Sequence, residues 1–303
     1  MEQRRFGSTE LMVSPIGLGC WGISGDWGPV EQRTAVDILQ RACDLGVNFF
    51  DTADMYGKGR SEELIGEALA TRRAEIVIAS KGGMNFYHGK RHLDFRPDYI
   101  QFALGETLRR LRTDYVDLYQ LHNPRPEDLT DELFERLDYL RDQGRIRYYG
   151  VSLNSRMEGF DLLQERGVAS FQVIYNLADQ RAAETILPWA QAHRVAAVAR
   201  VPLASGLLTG KYDKSTRFPD DDPRRRQAPE RLAEGLERAD LLQFLATGGR
   251  TLGQAALRFV LTHPAVTVAI PGAKSIAQLE ENVAALSTPQ LTPDELSRIE
   301  ASS

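Results

Sequence analysis

Residues 47–56, Val-Asn-Phe-Phe-Asp-Thr-Ala-Asp-Met-Tyr, carry an apolar strand out into two carboxylates and a phenol. Such groups cost free energy in a core unless partners meet them. Two later apolar runs end in suitable partners. Ile76-Val-Ile-Ala-Ser-Lys81 delivers an ammonium and Tyr115-Val-Asp-Leu-Tyr-Gln-Leu-His122 an imidazole. If these strands lie side by side in a parallel sheet, Asp51, Tyr56, Lys81 and His122 converge at one rim as a proton-donating cluster. Taken singly, each has a plain structural explanation: a buried ion pair, an interface aromatic, a satisfied core histidine. Four of them at adjacent strand ends favour chemistry.

The remaining chain supplies the elements to hold such a rim. Arg4-Arg-Phe and Leu11-Met-Val flank Gly7-Ser-Thr-Glu10 as a short β-hairpin, a lid for the bottom of the sheet that the later strands build. Strands are expected at 15–19, 47–51, 76–81, 115–122, 147–152, 171–175, 195–200 and 266–270. Helices are expected at 31–45, 61–70 (with Ser61 as N-cap), 98–112, 130–143, 156–166, 184–193, 252–261 and 276–286. Eight strand and helix pairs predict an α/β fold, a closed (β/α)8 TIM barrel, whose strands present chemistry at their carboxyl ends. About fifty residues separate the seventh strand from its helix, a long insertion. It contains Pro219-Asp-Asp-Asp-Pro-Arg-Arg-Arg226, which reads as a solvated loop because its charges cancel, and a helical run near 229–245. No internal repeat is evident, and residues 1–303 are expected to form a single barrel domain.

Composition fits an enzyme with a large core: 303 residues, 42% of them hydrophobic. The net charge of −5, from 37 basic and 42 acidic residues, argues against nucleic acid or an anionic membrane as the main partner. Cys20 and Cys43 are too few for a disulfide framework, and no apolar segment behind Met1-Glu-Gln-Arg-Arg resembles a signal peptide, so a reducing cytoplasm is expected. No stretch has the length and apolarity of a membrane span. The sequence carries no signal for oligomeric state.

Two glycine-rich stretches imitate nucleotide motifs. Gly17-Leu-Gly-Cys-Trp-Gly22 matches G-x-G-x-x-G and would suggest a doubly wound dehydrogenase, but Ser24-Gly-Asp-Trp-Gly-Pro29 intervenes before any helix. Gly206-Leu-Leu-Thr-Gly-Lys211 is one residue short of a phosphate loop, with Tyr212 where Ser or Thr would bind magnesium, although its glycines and Ser205 offer backbone donors to a pyrophosphate. Of five histidines only His122 ends a strand, so no metal site is expected.

An ordered set of blocks resembles the aldo-keto reductases along nearly the whole chain. It comprises the hairpin, Gly46–Gly57, Ala79-Ser-Lys81, Asp117–Asn123, Gly144–Ser152, Phe171–Asn176 and Ile270-Pro-Gly. The resemblance places the family's proton-donor tetrad on Asp51, Tyr56, Lys81 and His122. It implies hydride transfer from a nicotinamide to a small-molecule carbonyl, with Tyr56 as proton donor. A phenol has a reference pKa of about 10, and a nearby ammonium favours its anion. Lys81 would be that ammonium, held by Asp51, while His122 would orient the carbonyl oxygen or take part in the proton relay.

The same resemblance assigns cofactor contacts. Ser152 and Gln172 would meet the carboxamide, with Asp51 nearby; Gly19, Cys20 and Trp21 would line the cleft; Pro202, Leu203, Ser205, Gly206, Leu207 and Lys211 would wrap the pyrophosphate. Gly272, Lys274, Gln278, Glu281 and Asn282 would surround the adenosine, Lys274 taking a 2′-phosphate, so that NADPH is expected rather than NADH. Three positions depart from many relatives: Arg200 replaces an aromatic that stacks on the nicotinamide and is expected to contact the cofactor in its place, since a planar guanidinium can stack too; Leu153 replaces an asparagine; and Gln278 replaces an arginine. Trp21, Trp27, Met55, Phe86 and Tyr87 could wall an apolar or sugar-stacking substrate pocket. Broad aldehyde, ketone or aldose reduction is the expectation. The competing readings are a cofactor-binding redox sensor of the potassium-channel β-subunit type and the doubly wound dehydrogenase.

Overall fold

Eight short parallel strands form one continuous ladder in chain order. They are β1 (Leu18–Gly19), β2 (Phe49–Asp51), β3 (Val77–Gly82), β4 (Val116–His122), β5 (Ile146–Ser152), β6 (Ser170–Ile174), β7 (Ala196–Arg200) and β8 (Val266–Ala269). Parallel bridges from Ile16 to Ala269 and from Gly19 to Gly272 join the first strand to the last, so the sheet closes. Closure excludes the doubly wound alternative, which needs an open sheet with a strand-order reversal. This computed structural model describes residues 1–303 except His88, Ser155, Arg156, Lys214, Asp221, Gln227, Ala228, Ser302 and Ser303, and the side chains of Arg226 and Arg231.

Strand alternation decides what lines the barrel, because successive side chains face opposite ways. Phe49, Val77, Ala79, Leu118, Ala196, Val198 and Val268 share one apolar cluster with Phe6, Leu11 and Val13 of the N-terminal hairpin (Arg4–Arg5 paired with Met12–Val13). Phe6 stacks on Phe49 with ring centroids 5.7 Å apart, so the hairpin plugs the amino-terminal end. Burying each such ring contributes about 1.5–3 kcal/mol. Phe50 and Ile78 face outward into the larger cluster beneath the helices. Two residues beyond the lumen-facing Phe49, Ala79, Gln120 and Val198 stand Asp51, Lys81, His122 and Arg200. The period that fills the lower barrel therefore carries polar groups to its upper rim.

The crossover helices are α1 (Gln32–Asp44), α2 (Arg60–Leu69), α3 (Pro97–Leu111), α4 (Asp131–Asp142), α5 (Phe160–Leu163), α6 (Ile186–His193), α7 (Pro229–Leu241), α8 (Leu252–Thr262) and α9 (Ile276–Ala284), followed by α10 (Pro293–Ala301). Four expectations need correction. The helix expected at 156–166 is α5 alone; its expected first residue lies outside the described residues, and left-handed Met157 and Gly159 (φ 57° and 78°) prevent an earlier start. Ser61 is not an N-cap. Helix α2 begins behind left-handed Gly59, and the Ser61 hydroxyl instead takes a hydrogen bond from Thr52 (2.8 Å) and donates to the Cys20 carbonyl (3.1 Å), tying the helix to two strand ends. The run expected at 229–245 breaks after Leu241 into a separate 3-10 turn at Gln243–Leu245. Helix α6 starts at Ile186 rather than 184, because Pro188 lacks an amide hydrogen and fits only the first turn. Helix α10 and a second hairpin, Met84–Asn85 with His92–Leu93, were not foreseen.

Candidate active site

Register fixes the rim. Gly19 lies beside Asp51, Lys81 beside Gln120, His122 beside Ser152, Ser152 beside Gln172, and Ile174 beside Arg200. The Lys81 ammonium donates to Asp51 Oδ1 at 2.6 Å, to the Thr52 carbonyl at 2.8 Å and to the Tyr56 hydroxyl at 3.3 Å. All three lysine protons are thereby placed, although the side chain is wholly buried. The second Asp51 oxygen accepts from Gln172 Nε2 at 2.7 Å and Gln120 Nε2 at 3.3 Å, and Ser152 Oγ donates to Gln172 Oε1 at 3.3 Å. Gln120 was missed by sequence reasoning. Strand parity with His122 points to it.

Tyr56 leaves the chain in a tight turn at Tyr56–Gly59, where Gly57, Lys58 and Gly59 all have positive φ. Its ring stacks on Trp21 (centroids 6.0 Å, 26°) and meets His122 edge-on (6.0 Å, 85°). Trp27 packs edge-on against Trp21 at 5.2 Å, behind the ring that stacks on the phenol. Burial raises the Tyr56 phenol above its ordinary value, and the Lys81 cation pulls it back only in part. The ammonium favours the anion as expected, but burial outweighs it and the Asp51 charge opposes it. The phenol stays protonated, which is the state a proton donor needs.

His122 is held neutral. Burial lowers its pKa well below 6.5, and the cations Lys81, Arg200 and Arg91 lower it further. Its Nδ1 is sealed without a partner among the described residues. The tautomer protonated on Nε2 leaves only a lone pair unsatisfied inside, a smaller penalty than an orphaned N–H, and leaves Nε2–H as the donor.

A second polar layer lies behind the tetrad. The buried Glu62 carboxylate accepts from Ser80 Oγ (2.6 Å) and Arg110 Nε (2.7 Å), while Arg110 Nη1 donates to the Tyr87 hydroxyl (2.7 Å). Tyr87 thus also joins this network, with its ring against Phe86 and Phe102. Met55 and Phe86 are part-buried on the rim loops. Asp54, the other carboxylate of the 47–56 stretch, is fully buried with neither oxygen hydrogen-bonded among the described residues. Burial, then Glu62, raises its pKa well above 3.8. A folded state that binds this proton more tightly than the unfolded chain loses stability as pH climbs from about 4 towards the raised value. The unfolding free energy of wild type minus that of Asp54→Asn, measured in urea from pH 4 to 8, should therefore fall with pH. A difference independent of pH would show that Asp54 titrates normally.

The other expected contacts have the following surroundings. Gly19 ends β1, and the amide of buried Cys20 donates to the Asp51 carbonyl at 2.8 Å. Pro202, Leu203, Ser205, Gly206 and Leu207 form the turn after β7, where Ser205 and Gly206 (φ 57° and 89°) are consecutively left-handed, and Lys211 beyond it is exposed. Lys274 Nζ donates to the Trp27 carbonyl (2.7 Å), and Gln278 Oε1 accepts from the Lys274 amide (2.8 Å). Asn282 donates to the Gly272 carbonyl (3.3 Å), and Glu281 accepts from Thr251 Oγ1 (3.3 Å). The charge run at 219–226 is not simply solvated. Arg224, paired with Asp222 at 2.6 Å, lies over the rings of Phe218 (4.1 Å), Tyr212 (4.6 Å) and Trp27 (5.8 Å), which joins the insertion to the first rim loop. Among the described residues no three His, Cys, Asp or Glu stand in a metal-binding group, and no helix is long and apolar enough to cross a membrane.

The Aldo/keto reductase family model matches residues 15–303. The uncharacterized oxidoreductase YqkF of Bacillus subtilis (strain 168) is 34% identical over 99% of this chain and 96% of its own length. Aldo-keto reductase yakc of Schizosaccharomyces pombe, whose name carries NADP(+), is 34% identical over 90% of this chain and 84% of its own. Among solved structures, the holo form of aldo-keto reductase AKR11C1 from Bacillus halodurans aligns with a TM-score of 0.84 at 33% identity, covering 99% of this chain and 96% of that one. With its closed barrel and its rim of Asp51, Tyr56, Lys81 and His122, the chain belongs to the aldo/keto reductase family.

Proposed function

We propose that residues 1–303 act as one barrel domain that reduces aldehydes and ketones to alcohols at the expense of NADPH, with Tyr56 as the proton donor. The observation that carries this reading is the Tyr56 hydroxyl 3.3 Å from an ammonium that Asp51 fixes at 2.6 Å. The bound nicotinamide supplies hydride to the carbonyl carbon. The chain supplies the rest. His122 holds the carbonyl oxygen through Nε2–H, Tyr56 gives its proton to that oxygen as negative charge develops, and Lys81 stabilises the phenolate left behind. Ser152 and Gln172 are the side chains for the carboxamide, and the turn at Ser205 and Gly206, whose Gly206 amide donates to the Leu203 carbonyl at 2.9 Å, is the place for the pyrophosphate. Consumption of NADPH with a panel of aldehydes, ketones and aldoses tests the activity. Failure to oxidise bound NADPH with any reactive aldehyde would favour a redox sensor instead.

The preference for NADPH rests on Lys274, an exposed ammonium whose described partner is a backbone carbonyl and not an acid. A charge-assisted hydrogen bond to a 2′-phosphate is worth about 1.5–3 kcal/mol, roughly 10–100-fold in affinity. Catalytic efficiency should favour NADPH over NADH, and Lys274→Met should reduce that ratio by about this factor. A wild-type preference for NADH would refute the choice. The NADP(+) in the name of the fission-yeast relative supports it.

A further inference from the structure

We propose that Asp26 is a positioning residue for the proton donor: one oxygen of its carboxylate fixes both the backbone that launches Tyr56 and the indole stacked on the Tyr56 ring. This rests on the carbonyl-reduction reading and adds to it a residue that acts through its neighbours.

Tyr56 needs support from outside its own turn. Among the described residues its hydroxyl meets the Lys81 ammonium alone, at a long 3.3 Å. The turn that follows it takes φ of 58°, 55° and 96° at Gly57, Lys58 and Gly59, and a left-handed lysine is a conformation that neighbours must hold in place. Within the turn the Tyr56 amide donates to the Ala53 carbonyl and the Lys58 amide to the Met55 carbonyl, both at 3.1 Å. The Gly57 amide, between them in sequence, finds its partner in another loop, at Asp26 Oδ2 2.9 Å away. That amide belongs to the peptide bond directly after Tyr56. The contact therefore sets the direction in which the phenol leaves the chain.

The same oxygen accepts from the Trp21 indole Nε1 at 3.0 Å and lies 3.0 Å from the Ser24 hydroxyl. Trp21 is one of the exposed large apolar side chains, so packing alone does not fix the ring that stacks on Tyr56 at 6.0 Å. The two loops also touch through backbone, since a side chain at Gly57 would meet the Ser24 carbonyl at 2.7 Å. Among the described residues no cation pairs with Asp26, which leaves its carboxylate to these donors. Hydrogen bonds to an ionised acceptor are shorter and stronger than neutral ones. Asp26 is itself exposed, so its main effect falls on geometry and not on stability. A reacting group that drifts by about 1 Å can lose about 100-fold in rate.

Single-turnover oxidation of NADPH by an aldehyde tests the assignment in the wild type, Asp26→Ala and Asp26→Asn, each with and without Tyr56→Phe. Asp26→Ala should lower the rate about 10–100-fold with NADPH affinity unchanged. Combined with Tyr56→Phe it should add less than about 2-fold, because the hydroxyl that it positions is gone. Asp26→Asn keeps an acceptor oxygen and should restore most of the rate. An equal loss in both backgrounds would place the effect elsewhere, and a rate within about 2-fold of wild type would show the contact to be idle; either result overturns the proposal. Hydrogen exchange at the Gly57 amide reads the same contact without turnover. Asp26→Ala should speed that exchange and Asp26→Asn should largely preserve the protection, a result that supports the contact even if no carbonyl is reduced. Exchange indifferent to Asp26→Ala overturns the proposal whatever the turnover.

Discussion

Tyr56→Phe should lower turnover by about 10²–10⁴, the usual contribution of a positioned general acid, while leaving NADPH affinity nearly intact. The substitution removes one oxygen. The ring that stacks on Trp21 and meets His122 edge-on is retained, so the walls of the mouth persist. Lys81 keeps Asp51 at 2.6 Å and the Thr52 carbonyl at 2.8 Å, so no charge is stranded. Single-turnover oxidation of NADPH with an aldehyde isolates the chemical step, and cofactor fluorescence reports binding. A variant that turns over at the wild-type rate would remove Tyr56 from the mechanism. Since burial keeps the phenol protonated and His122 neutral, the wild-type rate should show no inflection near pH 6.5.

Lys81→Met is expected to have the largest effect on stability. The ammonium is wholly buried, and its removal leaves Asp51 in the interior with the amides of Gln172 and Gln120 but no cation. Breaking a buried pair from one side costs about 3–5 kcal/mol, a large share of the roughly 5–15 kcal/mol that holds a protein folded. Urea titration of the wild type, Lys81→Met, Asp51→Asn and the double variant forms a cycle in which the double variant should be more stable than the single losses predict. Additive losses, or a loss below about 1 kcal/mol for Lys81→Met, would mean that the pair is not energetically coupled.

The barrel was legible because apolar runs recur with helical stretches between them, and Asp51, Lys81 and His122 were legible because they interrupt such runs at their ends. Gln120 was not, since it lies inside an apolar strand. Only its parity with His122 marks it as facing the lumen. The partner of the Tyr87 hydroxyl was not legible either: nothing nearby in sequence announces that Arg110, 23 residues on, donates to it. Ser61 and Glu62 carry the composition of a helix start. Long-range partners claim both groups, Thr52 and Cys20 for the one and Arg110 for the other, and such tertiary demands override local preference. Helix α10 lies beyond the last strand, outside the repeat that guided the reading.

The bridges from Ile16 to Ala269 and from Gly19 to Gly272 join positions roughly 250 residues apart, contacts whose chain-closure entropy must be met before they return any stability. The stretch from β2 to β4, which holds Asp51, Lys81 and His122, can zip through neighbour pairings as it leaves the ribosome. Gly19 can already pair with Asp51, but its other edge must wait for the last eighth of the chain. Assembly of the catalytic mouth therefore finishes at the seam, and truncation or slow synthesis near the carboxyl terminus would yield a chain with its acid–base core formed and its cleft unfinished.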